Sequence, residues 1–192
     1  MKAHRAAVFC LLIAGSVTAE EIAESYKDPT FNATVARILV VGVHEDRNVR
    51  GMFENSVVRA LRAAGADGES SLARMGSGQA VTAETLLAAA ARAEADAVLV
   101  TRVLDIAAPD AAEPAQGDDA TLIGALRANY QDPLASATTT TVSVGSDLYT
   151  VANQAKVWSA ESTAFDKQNL FAVIDGITTA ITAQLRSDGL IR

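Results

Sequence analysis

Five polar residues stand where two apolar runs end, and their types allow chemistry. His44, Glu45, Asp46 and Arg47 follow the run Arg37–Val43, and Asp105 comes near the end of a second run, Ala97–Ile106. Open α/β sheets bind ligands outside the carboxyl ends of their strands. If the two runs are neighbours, one imidazole and three carboxylates gather there. Such a set can hold a divalent cation or act as an acid–base pair. Arg47 and Arg50 flank the start of the next helix and could take an anion with its first amides. A plainer account covers the same residues. A loop entering a helix is rich in Asp, Asn and Glu because they cap it and suit its dipole.

Other chemistries are weaker. The loop after Val43 lacks the glycines that let a phosphate approach the backbone. Gly76-Ser77-Gly78 does not have the spacing of a nucleophile elbow. Ser70 and Ser71 have no histidine partner other than His44. Asp118-Asp119 completes no calcium loop. No catalytic residue, metal or cofactor is therefore assigned, and His44, Asp46, Arg47 and Asp105 stand as ligand-binding candidates. Trp158 is either an exposed anchor for a partner or, the commoner fate, a ring packed beneath a helix.

The elements that must position these residues follow from periodicity. Arg37–Val43 is nearly all apolar and β-branched, which suits a strand covered on both faces. Asn48 is an N-cap candidate, and Val49, Phe53, Val57, Ala60, Leu61 and Ala64 then recur at helical spacing up to Gly65. Ala66–Arg74 must hold the second strand of a βαβ unit despite poor β propensity. Thr82 caps a second helix over Ala83–Ala95. Ala97–Ile106 is the next buried strand. Residues 107–137 interrupt the pattern with three of the four prolines and space for a short helix at Thr121–Asn129. A loop this long is normally functional or disordered. Thr138–Val151 alternates, turns at Asn153 and returns as Ala155–Phe165, a hairpin. Asn169 caps a last helix with the stripe Leu170, Val173, Ile174, Ile177, Ile181 and Leu185. Gly189 ends it, and Leu190-Ile191 can fold back on it.

The order is thus β-α-β-α-β, the insertion, β-β, then α. This is an α/β domain with a mixed sheet of about five strands and three main helices, occupying residues 36–191 behind an extended lead-in at 20–35. The parallel part should have right-handed crossovers.

The first residues read as an address. Lys2, His4 and Arg5 precede the apolar run Ala6–Gly15, and Val17-Thr18-Ala19 offers small residues at a cleavage site. The run is too short to span a bilayer, which takes about 20 apolar residues. Cleavage after Ala19 makes 1–19 a signal peptide and the mature chain periplasmic, with no transmembrane segment. It removes two of 16 basic side chains and none of 23 acidic ones, so the formal charge moves from −7 to −9. An acidic surface repels nucleic-acid phosphates and anionic lipid, so neither is expected as a partner. The lone cysteine, Cys10, leaves with the signal. Its neighbours Phe9 and Leu11 do not suit lipid attachment.

Several segments together resemble a set of bacterial envelope lipoproteins. They are Ser25-Tyr26-Lys27-Asp28-Pro29, Arg37–Val43, Arg50-x-x-Phe53-Glu54, Ala95-Asp96-Ala97-Val98-Leu99-Val100-Thr101-Arg102 and Val157-Trp158-Ser159. The likeness spans most of 25–191 and fails over the insertion. It implies a fold similar to the α/β domain of the Tol translocation protein and of curli-secretion lipoproteins, an envelope setting and protein contacts, with no catalytic residues to carry over. Relatives end the signal with a lipobox cysteine. Here Leu12-Ile13-Ala14-Gly15 is followed by Ser16, so no lipid anchor is expected. The implied role is a non-enzymatic envelope interaction or assembly accessory that meets a protein partner through the insertion and the hairpin. The alternative is a small-ligand or metal-dependent periplasmic enzyme using His44, Asp46 and Asp105.

Overall fold

The computed structural model describes residues 21–75, 78–107, 140–166 and 170–192. The chain runs β1 (Glu21–Lys27), β2 (Arg37–Val43), α1 (Arg47–Ala63), β3 (Asp67–Ser70), the short α2 (Ser71–Arg74), α3 (Ala83–Arg92), β4 (Ala97–Ala107), β5 (Thr140–Thr150), β6 (Lys156–Asp166) and α4 (Leu170–Ser187). The fold is the mixed α/β class expected. One sheet holds all the described strands in the order β1-β6-β5-β4-β2-β3. β2 runs parallel to β3 and β4, and the remaining pairs are antiparallel.

The sheet has one strand more than the sequence suggested. Part of the extended lead-in is β1, which pairs with β6 from Glu21↔Thr163 to Lys27↔Trp158. Its polar composition hides it, because an edge strand needs few apolar side chains. The signal segment, residues 108–137 of the expected insertion, the helix expected at Thr121–Asn129, and Asn169 lie outside the described residues.

β2 shows why its sequence is nearly all apolar. Ile38 and Val40 enter one core, while Leu39 and Val41 enter another on the opposite face. The larger core lies under α1 and α4 and contains Leu61, Leu99, Leu148, Trp158, Ile181 and Leu185. The smaller one lies under α3, where Ala89, Ala90 and Ala93 let the helix come close to Leu39, Val41 and Val98. Gly189, at φ 69°, ends α4. Leu190 and Ile191 then turn into the main core, and Leu190 O accepts from Val35 N at 2.7 Å.

β3, Asp67-Gly68-Glu69-Ser70, has little propensity of its own. It forms through parallel pairing with β2. Gly68 lets α1 settle against it, since a Cβ there would stand 3.2 Å from both Val58 Cα and Leu61 Cδ1.

Candidate functional site

The loop after β2 is a helix cap. Asp46, and not Asn48, is the N-cap of α1. Its Oδ1 accepts from Asn48 N at 2.7 Å and Val49 N at 3.4 Å. Asn48 already belongs to the helix, so it cannot serve as the expected cap. Asp46 has the extended backbone that a cap requires, at φ −75° and ψ 116°. His44 Nδ1 accepts from Asp46 N at 3.0 Å, which stiffens the same turn. Arg47 and Glu45 are exposed. Asp105 is not drawn to this loop by the strand register. β4 pairs with β2 only as far as Arg102, opposite Val43, and a register irregularity follows before Asp105 falls opposite Ser143 of β5. Three residues of strand carry it about 10 Å beyond Arg102. Among the described residues, no three His, Cys, Asp or Glu side chains form a metal-binding group.

Between these strand ends and the helices lies a cavity of about 40 Å³, bordered by Gly42, His44, Phe53, Thr101, Val103 and Ile177 among others. It is far smaller than the roughly 300–1,000 Å³ of ordinary ligand pockets.

The densest polar cluster lies deeper, and it takes in Arg50, expected at an anion site, and Ser70 and Ser71, weighed as nucleophiles. Glu54, wholly buried on α1, accepts five hydrogen bonds. Its Oε1 takes Gly42 N at 3.1 Å, Arg50 Nε at 2.8 Å and Ser71 Oγ at 2.7 Å, while Oε2 takes Ser70 Oγ at 2.6 Å and Leu72 N at 3.0 Å. Arg50, also buried, donates through Nη2 to Ser71 Oγ and, at 3.5 Å, to Met75 Sδ. The cluster ties β2, α1, β3 and α2 together. It also accounts for Ser70 and Ser71, whose hydroxyls donate to a carboxylate. A signal was present in the sequence. Arg50 and Glu54 fall on the helical stripe that continues to Val57, Val58 and Leu61, where charge is out of place.

The other segments that carry the lipoprotein resemblance are also structural. Asp96 Oδ2 accepts from Ala36 N at 3.0 Å and Arg37 N at 2.9 Å, pinning the start of β2 to the start of β4. Arg37 reaches Asp67 and Glu94, both at 3.0 Å. Its guanidinium is held above its ordinary pKa by the hydrogen bond to Asp67 first and Glu94 second. Arg102 meets Asp147 at 2.6 Å, and that hydrogen bond raises the Arg102 pKa. Trp158 is fully buried and donates from Nε1 to Asp188 Oδ2 at 2.7 Å. It packs beneath α4 and offers no exposed anchor.

Among the described residues, part of one sheet face has no element over it. Gly145, Asp147, Ser159, Glu161, Glu24 and Tyr26 lie on it, with Arg102 and Lys156 bracketing Asp147. No described helix is long and apolar enough to cross a membrane.

The sequence matches no protein-family model and no curated protein. Solved structures share the fold. A PelC variant dodecamer from Paraburkholderia phytofirmans is 18% identical at a TM-score of 0.50, over 85% of this chain and 96% of that one. Lipoprotein GNA1162 from Neisseria meningitidis is 19% identical at a TM-score of 0.45, over 79% and 99%. A DUF330 protein from Xanthomonas campestris is 13% identical at 0.40, over 85% and 89%. At 18% identity the PelC likeness speaks for the fold alone.

Proposed function

We propose that this chain works as a non-enzymatic periplasmic protein, an interaction or assembly accessory of the cell envelope. One observation carries the reading. Several of the polar side chains the sequence offered for chemistry are used in holding the fold, while Glu45 and Arg47 are exposed. Asp46 caps α1, His44 braces the cap, Ser70 and Ser71 satisfy Glu54, and Trp158 is core. What is left to the outside is surface. Further support comes from the PelC dodecamer, an assembled protein of similar fold. Export rests on the segment 1–19, with cleavage after Ala19 and no lipid at Cys10.

The test has two parts. The intact mass and N-terminus from fractionated cells should give a periplasmic chain that begins at Glu20 without diacylglycerol. Crosslinking in intact cells should give a defined adduct larger than the monomer. An uncut chain in the cytosol sinks the export reading. A metal or small molecule that copurifies, and that is lost in His44→Ala or Asp46→Ala while the fold persists, moves the chain to the enzyme class.

A further inference from the structure

The sheet face that α3 half covers has room for one more element. α3 lies over β2 and β4, and no described element lies on the same face over β5, β6 and β1. The outer two of those three strands are about 10 Å apart, the width of one helix. An α/β sheet is completed by covering such a face.

The register defines the surface. Arg102, Gly145, Glu161 and Glu24 form one row across β4, β5, β6 and β1. Arg102 is already engaged by Asp147. Glu161 and Glu24 are directly opposite each other, and like charges so placed repel. Among the described residues, neither carboxylate has a side-chain hydrogen bond or ion pair. Next to them Tyr26 is 55% and Leu104 44% exposed. Leu104 lies across Gly145, close enough that a Cβ there would be 3.1 Å away. The resulting trough measures about 490 Å³.

We propose that this trough receives an amphipathic helix from a partner protein. Its apolar side rests on Tyr26 and Leu104, and a Lys or Arg lies over Glu24 and Glu161. The proposal rests on the interaction reading above and names its surface. A cation there turns the repelling pair into an attractive site, and a helix beside α3 completes the layer. A second copy fits less well. A twofold axis along the strands between β5 and β6 would drop each α3 onto the other copy's β1.

The test uses the full mature chain and two synthetic amphipathic helical peptides, one with a Leu face and Lys residues, its twin with Glu in place of Lys. Fluorescence anisotropy at physiological salt should show binding of the Lys peptide only. Glu161→Lys should weaken it about tenfold or more. Asp175→Lys, an equal charge change on α4 across the sheet, should not. Glu161→Lys sets an opposite charge beside Glu24, so its melting temperature should not fall. The proposal is overturned if neither peptide binds or if the two variants weaken binding equally. It is also overturned if a photo-crosslinker at Ser159 joins residues 108–139 of the same chain or a second copy. Those results leave the in-cell adduct as a separate measurement, so this surface can fail while the interaction reading stands.

Discussion

Arg50 and Glu54 sit one turn apart on α1, joined at 2.8 Å with both side chains out of solvent. On a helix surface such a pair contributes a few tenths of a kcal/mol. Here the carboxylate also satisfies two serines and two backbone amides, so removing it strands several donors and one cation. Glu54→Ala should cost about 3–5 kcal/mol, the penalty for leaving a buried charge unpaired. The double variant Arg50→Met, Glu54→Gln should lose clearly less, because the amide oxygen still accepts and no charge is stranded. Urea denaturation of both checks this. Equal losses would mean that the ion pair does not dominate the cluster.

Trp158 and Asp188 give a second test. Trp158→Phe removes the bond to Asp188 and leaves a small void under α4. The expected cost is about 2 kcal/mol, a fall of ~4–8 °C in melting temperature for a chain of this size. Formation of the envelope adduct should be unchanged where the variant is still folded. A variant of native stability that forms no adduct would restore Trp158 as a contact.

Two glycines differ in what surrounds them. At Gly68 an added Cβ meets the α1 backbone at Val58 Cα, which cannot move aside cheaply. Gly68→Ala should destabilise by about 1–3 kcal/mol. At Gly145 the added atom meets only Leu104, a half-exposed side chain free to swing. Gly145→Ala should change stability by no more than about 0.5 kcal/mol. Thermal melts of the two variants should separate them.

Asp28 accepts from Thr30 Oγ1 at 2.7 Å and Thr30 N at 2.8 Å. The hydroxyl first, then the amide, lowers its pKa below the ordinary 3.8. A depressed carboxylate stabilises the fold above its unfolded pKa, and that contribution disappears as pH falls through the folded value. Thr30→Ala should bring the Asp28 pKa part of the way back up, as read by NMR titration, and should alter stability only where Asp28 is ionised. An unmoved pKa would show that the Thr30 hydroxyl is not the main cause.

The parts of the fold with strong patterns were legible in the sequence. β2, β4, the β5–β6 hairpin, α1, α3 and α4 all follow from apolar period and caps such as Thr82, whose side chain accepts from Thr85 N at 3.2 Å. β1 and β3 were less so. Their residues have little strand preference, and each exists because a neighbouring strand offers it a partner. The Arg50–Glu54 cluster is hard to read from sequence, because an Arg and a Glu four apart on a helix are usually solvent-facing. Asp105 was expected near His44 from strand adjacency alone. The adjacency is real, but β4 runs on past β2, and where a strand overshoots its neighbour cannot be read from apolar period.

The strand nearest the N-terminus, β1, pairs with the strand nearest the C-terminus, β6, and Lys27 Nζ reaches the carbonyl of Asp188 at 2.7 Å. The opening stretch of polypeptide therefore has nothing to dock on until almost the whole length has been delivered. Closing so long a loop is slow. β2, β3 and β4 can pair before then, so β1 and the tail of the chain are the last parts to lock, and they lock together.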